Sequence, residues 1–254
     1  MRQPSRQTGK APIGAFPVPV LLFTATLGAA GIGGGLMGQQ LAEPGGTLSW
    51  LVLLSLLVLL TAAAFPPLEF QYRDQVAAID PFEAILAPAV FLLSPLAVVV
   101  MVGAVRGLSE RMQRIHPVKA CFNVAQWMSA AAGGTIVFHL LRVDATMSPR
   151  NLLALIIAML TIHLMNLAAM VVVLLLAGGQ SLRSVLTELA PAMVRGSLTG
   201  LAINLAFGTI FVAVSAWLPE AILLLLVPLG VLHFAGRAYA SVRADRARLA
   251  GMQR

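Results

Sequence analysis

Seven apolar stretches, each long enough to cross a bilayer, occupy most of this chain, near residues 15–38, 49–66, 81–105, 120–141, 151–178, 198–217 and 219–236. Backbone amides in hydrocarbon must be paired within their own segment or around a closed barrel. These runs far exceed the roughly 10-residue alternating strands of a membrane barrel, so they are read as helices. The composition agrees: 11% of the 254 residues are charged and 59% hydrophobic, where a soluble domain carries about 25% charged residues. The expected fold is an all-α polytopic bundle of six to seven spans. Residues 1–14 form a basic N-terminal segment, 15–236 the transmembrane domain and 237–254 a basic cytoplasmic helical tail.

Lysine and arginine in short loops set orientation. Arg237, Arg243, Arg246, Arg248 and Arg254 lie in the tail, Arg106, Arg111, Arg114 and Lys119 between spans three and four, and Arg183 and Arg195 between spans five and six. These fall on one side, read as cytoplasmic, and leave Arg73, Arg142 and Arg150 on the other. The chain is thus placed in the inner membrane with its C-terminus in the cytoplasm. Seven full crossings would put Arg2, Arg6 and Lys10 outside, against the same rule. An N-terminus inside requires an even number of crossings. Either the glycine-rich first segment or the third, interrupted by Pro88 and Pro95, would then dip in and return. No cleavable signal peptide is expected.

The net charge of +7 is accounted for by orientation and anionic headgroups, so no nucleic-acid partner is implied. Lipid is the expected partner. Two cytoplasmic stretches have helical periodicity of their own. In 181–196, Leu182, Val185, Leu186, Leu189 and Met193 line one face of an interfacial helix. In the tail, Tyr239, Val242 and Leu249 lean to one side as candidates for relaying a signal. Cys121 is the single cysteine, a packing residue or an acylation site.

Polar residues inside spans are costly in lipid unless they face the bundle or a wet cavity. Asn123 and Gln126 share a face of span four, His163 and Asn166 a face of span five, and span six contributes Asn204. Such residues either line a ligand pocket or join helices by hydrogen bonds worth roughly 0.6–2 kcal/mol each. His139 lies roughly 160° around the helix from Asn123, outside this patch. Glu83 and Glu220, at the outer starts of spans three and seven, could bind a cation or proton but are read as hydrated interface carboxylates, and Trp50 and Trp217 as interfacial aromatics. No histidine pair or cysteine set has metal-binding spacing, and no GxSxG elbow, intramembrane carboxylate pair or P-loop occurs. Neither metal, cofactor nor enzyme activity is implied.

The segment HPVKACFNVAQWMSAAAGGTIVFHLL at 116–141 resembles the FN-x-x-Q helix of the multi-span sensor regions that precede bacterial GGDEF diguanylate cyclases and HD-type phosphohydrolases. The stretches 68–95, MN at 165–166 and 228–248 are similar in order and spacing. The resemblance implies a membrane sensory, ligand-binding module, with Phe122, Asn123, Gln126 and Asn166 as its signature positions. Its ligand is unidentified, and a cytoplasmic signalling enzyme or a second copy of the chain is an expected partner. No GGDEF, HD, GAF or kinase segment occurs in the 254 residues, which departs from that pattern. Two alternatives stand beside it: a small-molecule transport protein similar to the substrate-binding subunits of energy-coupling vitamin transporters, whose small-residue helix Ala25 and Ala29 echo, and a scaffold that recruits a partner.

Overall fold

The computed structural model describes residues 17–42, 49–64, 68–72, 75–79, 81–178, 182–184, 187, 190–231, 234, 235, 238 and 242. The helices are α1 (Val18–Leu41), α2 (Trp50–Ala63), α3 (Phe82–Leu92), α4 (Pro95–Met112), α5 (Pro117–Leu141), α6 (Pro149–Gly178), the single turn α7 (Leu182–Ser184) and α8 (Ala190–Trp217). A terminal segment follows, a 3-10 helix Pro219–Leu225 that continues as apolar helix to Val231. Between α2 and α3, β1 (Leu68–Tyr72) and β2 (Gln75–Ile79) pair antiparallel, Leu68 opposite Ile79 and Tyr72 opposite Gln75. By length and apolarity, four helices can span a membrane: Val18–Leu41, Pro117–Leu141, Pro149–Ala177 and Gly200–Trp217. Trp50–Ala63, Phe82–Leu92 and Ile222–Val231 are apolar but shorter.

The expected third span is not one crossing. It divides at Leu93 and Ser94, where the backbone turns extended at both residues. Pro95 has no N–H to continue a helix, but at the first position of α4 none is needed. Neighbour contacts give the direction of each limb. On α3, Phe82 packs edge-on against Trp127 of α5 and Phe91 against Phe138, so α3 runs parallel to α5. On α4, Gly38 of α1 brings Pro95 and Ile136 together at one end, while Asn123 bonds Glu110 at the other, so α4 runs antiparallel to α5. The segment 81–105 is therefore a helical hairpin. Its first limb is buried at every residue from Phe82 to Val90.

The same reasoning orients the remaining helices. Phe23 stacks on Phe122 and Gly31 meets Met128, so α1 is parallel to α5. Gln126 pairs with Asn166 and Gly134 with Ile162, so α6 is antiparallel. Asn204 faces Glu83 and Gly208 faces Ala87, so α8 is parallel to α3. The Ala64 carbonyl ending α2 accepts the Ser109 hydroxyl at 2.7 Å and the Gln113 amide at 3.4 Å. The β-hairpin consequently lies at the same end of the bundle as the α4–α5 turn, opposite to the side on which the 67–80 loop is placed from the sequence; Arg73 itself lies outside the described residues.

Other expectations shift in detail. The basic 106–119 stretch is mostly helical, since α4 continues to Met112 and α5 begins at Pro117. The turn between them places Arg114 at φ 54°. Of the interfacial helix expected at 181–196, the described residues are helical at Leu182–Ser184, at 187 and from Ala190 onward, and residues 181, 185, 186, 188 and 189 lie outside the described residues. In the tail, Tyr239 and Leu249 lie outside the described residues, and Val242 is exposed. Residues 1–14 also lie outside the described residues.

Small residues set the helix spacing. Gly31, Gly35 and Gly38 form the buried edge of α1. A Cβ on Gly31 would sit 2.9 Å from the Met128 and Ser129 backbone, whereas one on Gly33 would meet nothing within 4 Å. At the opposite end, buried Asn151 clasps the α5–α6 loop: its Oδ1 accepts Val143 N–H, and its Nδ2 donates to the carbonyls of Asp144 and Thr146 and to Asp144 Oδ1. Hydrogen bonds from the Thr146 hydroxyl and backbone, then from Asn151, hold the Asp144 carboxyl below its ordinary range. The contribution of the Asp144 carboxylate to the clasp is therefore present above the ordinary carboxylate pKa of about 4 and is lost as pH falls through the lowered value, while the Asn151 bonds to backbone groups remain.

The glycine contrast yields an expected outcome. Gly31→Val should destabilise the bundle by roughly 1–3 kcal/mol through forced separation of α1 from α5, while Gly33→Val should leave it unchanged. Thermal melting of both variants in detergent checks this; equal melting temperatures would contradict the packing.

Candidate functional site

The buried limb α3 carries a carboxyl group into the bundle. Glu83 is only 7% exposed. His163 Nδ1 of α6 lies 3.1 Å from its Oε1 and 3.2 Å from its Oε2, and Asn204 Nδ2 of α8 donates to Oε2 at 3.3 Å. Three helices therefore meet on one side chain. His163 and Asn204 lie about 20 Å along their helices from Pro149 and Trp217. The cluster thus lies in the interior of the bundle along the helix axes, about midway along α6 and α8.

A cation lies beside this cluster. Arg106 of α4 is 8% exposed, and its guanidinium carbon sits 3.8 Å over the ring of Phe82 and 4.2 Å over that of Trp127. Aromatic faces attract a desolvated guanidinium by about 2 kcal/mol, which helps hold this charge in an apolar setting. Phe82 precedes Glu83 in the chain, so the start of α3 positions both the aromatic platform and the carboxyl.

Two of the amides bridge pairs of helices, one of the two roles expected for them. Asn123 donates to Glu110 Oε1 at 2.9 Å, joining α5 to α4, and Gln126 donates to the Asn166 carbonyl at 2.9 Å, joining α5 to α6. Phe122 stands apart, packed against Phe23 of α1 with ring centroids 6.3 Å apart. Glu110 Oε2 and both side-chain amide atoms of Asn166 are buried without a hydrogen-bond partner among the described residues. Polar atoms in that state are normally satisfied by water or a bound polar molecule.

Glu83, Arg106 and Glu110 were not recognised as site residues from the sequence. Glu83 reads there as a hydrated carboxylate at the outer interface. The structure corrects this: the reversal of direction at Leu93 and Ser94 turns the start of α3 inward and to the other end of the bundle. The clue was the i, i+4 spacing of Arg106 and Glu110 at the end of an apolar run, where a helix continuing past the span would bury both. Among the described residues, no group of three or more His, Cys, Asp or Glu could hold a metal ion.

An apolar cleft adjoins the cluster. It has a volume of about 500 Å³ and lies between the start of α3, α8 and the terminal segment, with Asn204 as its polar lining residue. Comparison with protein-family models, with curated proteins and with solved structures finds no match to this chain.

Breaking a buried charged or polar pair from one side costs roughly 3–5 kcal/mol, more than replacing both partners with apolar groups. Glu83→Leu and His163→Leu should each lower the melting temperature markedly, and the double variant should recover much of the loss. A double-mutant cycle measures this coupling. Strictly additive losses would show that the two side chains do not act as a pair.

Proposed function

We propose that this chain is an integral membrane sensory module, crossing or entering the bilayer eight times, with both termini in the cytoplasm. The carrying observation is the Glu83–His163–Asn204 cluster, which ties the buried limb α3 to α6 and α8. Ionisable groups at membrane depth are functional sites by default, because each is expensive to retain. The helix directions support the topology. With the α4–α5 turn inside, the α3–α4 hairpin makes the number of passes even, and among the described residues Arg111, Arg114, Lys119, Arg183 and Arg195 fall at the inner end and Arg142 and Arg150 at the outer. Trp50 and Trp217, 84% and 85% exposed, then mark the outer interface.

A sensor changes output only when its ligand binds two packings unequally. Here α3 and α8 are joined through Glu83 and Asn204, and the terminal segment packs on α8 and α2 before leading into the basic tail. Altered pairing at Glu83 would therefore shift the helix that leaves the membrane. The resemblance of the 116–141 segment to sensor regions of diguanylate cyclases points the same way.

Transport is a second reading that one observation favours. A short helix that begins and ends within protein, as α3 does, is how many transporters place polar groups near the midplane. Ala25 and Ala29 lie on the exposed face of α1, where another subunit could pack.

Two measurements test the proposal. In a Cys121→Ser background, a cysteine replacing Arg73 should react with impermeant reagents only after the inner face is opened; reaction in intact cells would overturn the eight-pass topology. With a reporter cyclase fused after Arg254, His163→Leu should change cyclase output several-fold relative to the parent, and Gly33→Val should not. Unchanged output in His163→Leu, with the protein present at normal level, would sink the sensory reading.

A further inference from the structure

We infer that the cleft between α3, α8 and the terminal segment is a binding site for a single-chain lipophilic molecule with an uncharged hydrogen-bonding head group, a hydroxyl or carbonyl. This rests on the sensory reading only for its consequence, because the binding claim stands on the cleft itself.

Ile203, Phe207 and Phe211 of α8 face Val227, Leu229 and Val231 of the terminal segment across about 500 Å³. That lies within the roughly 300–1,000 Å³ typical of small-molecule sites, which are mostly apolar with a few placed polar groups. A two-chain phospholipid is too large for it. Access is from the lipid: Phe207 is 39% exposed and Val227 and Val231 are each 64% exposed, at a depth where the surroundings are acyl chains. A water-soluble substrate would have to cross that apolar rim.

The head group follows from the polar lining. Among the described residues lining the cleft none is charged, and Asn204 is the one amide. An amide both donates and accepts, so it suits a hydroxyl or carbonyl, whereas a charged head would be desolvated among described lining residues that carry no charge. The Asn204 bond to Glu83 Oε2 is long, at 3.3 Å. A head group that engages the Asn204 amide competes with this bond and alters how Glu83 is shared with His163. The chain of the same molecule wedges α8 from the terminal segment. One ligand thus acts both on the polar cluster and on the helix that carries the output.

The test uses the purified full chain in phosphatidylcholine vesicles and a hexadecanol bearing a mid-chain diazirine, with cross-linked peptides located by mass spectrometry. Labelling should concentrate on residues 203–211 and 227–235. A tenfold excess of hexadecanol should reduce it at least fivefold, and hexadecane should not. Val231→Trp, which fills the cleft from an exposed position that the fold tolerates, should reduce labelling at least fivefold, and Asn204→Leu at least threefold. Labelling spread equally over the exposed face of α1 around Leu21 and Leu36, or insensitive to Val231→Trp, would overturn the site as ordinary lipid contact. Competition by hexadecane as strong as by hexadecanol would overturn the head-group assignment. Because labelling is read without any reporter, its failure is distinguishable from a silent cyclase fusion, which bears on the sensory reading alone.

Discussion

A carboxyl group held inside an apolar bundle is the constraint on which the arrangement of this protein turns. Glu83 cannot remain in an apolar interior alone, since an unpaired charge there costs several kcal/mol even after relaxation. It is retained because α6 brings His163 and α8 brings Asn204 to the same two oxygens. For those helices to arrive there, α3 must stand between them with no lipid-facing side, and the burial of each residue from Phe82 to Val90 is the result. Arg106, laid across Phe82 and Trp127, extends the same polar region to α4 and α5.

Close packing makes this geometry possible. Without a hydrophobic force between helices in lipid, association depends on shape and on polar contacts. Gly31 and Gly38 on α1, Gly134 on α5 and Gly208 on α8 each let a neighbouring helix approach to backbone or Cβ contact. The α8 contact matters most for function, because Gly208 against Ala84 and Ala87 brings Asn204 level with Glu83. At the α5–α6 and α3–α8 interfaces polar bonds and glycine contacts thus occur together, the first fixing register and the second fixing distance.

Function, on this reading, follows from where the polar cluster sits relative to the cleft. A neutral amide shared between a buried carboxyl and an apolar cavity can report occupancy of that cavity to three helices. The terminal segment borders the cavity and continues into the basic tail, so a change of packing there has a short route out of the membrane.

Much of this was legible in the linear chain. Apolar run length alone specifies helices in a bilayer, because no other open structure satisfies its own backbone there, and α1, α5 and α6 fall close to their expected limits. The amides at 123, 126, 166 and 204 and His163 were visible as polar interruptions of apolar helices, and each except Asn166, which takes part through its carbonyl, makes a side-chain bond to another helix. The direction of the chain within 81–105 was not legible, since an apolar run with two prolines reads equally as one kinked crossing or as two limbs. Only packing against Trp127, Phe138 and Ile136 decides between them. Glu83 could not be recognised for the same reason: a carboxylate at the edge of an apolar run is hydrated or buried according to which way the next helix turns. That depends on contacts with residues 80 and 121 positions away in sequence, which local pattern does not encode.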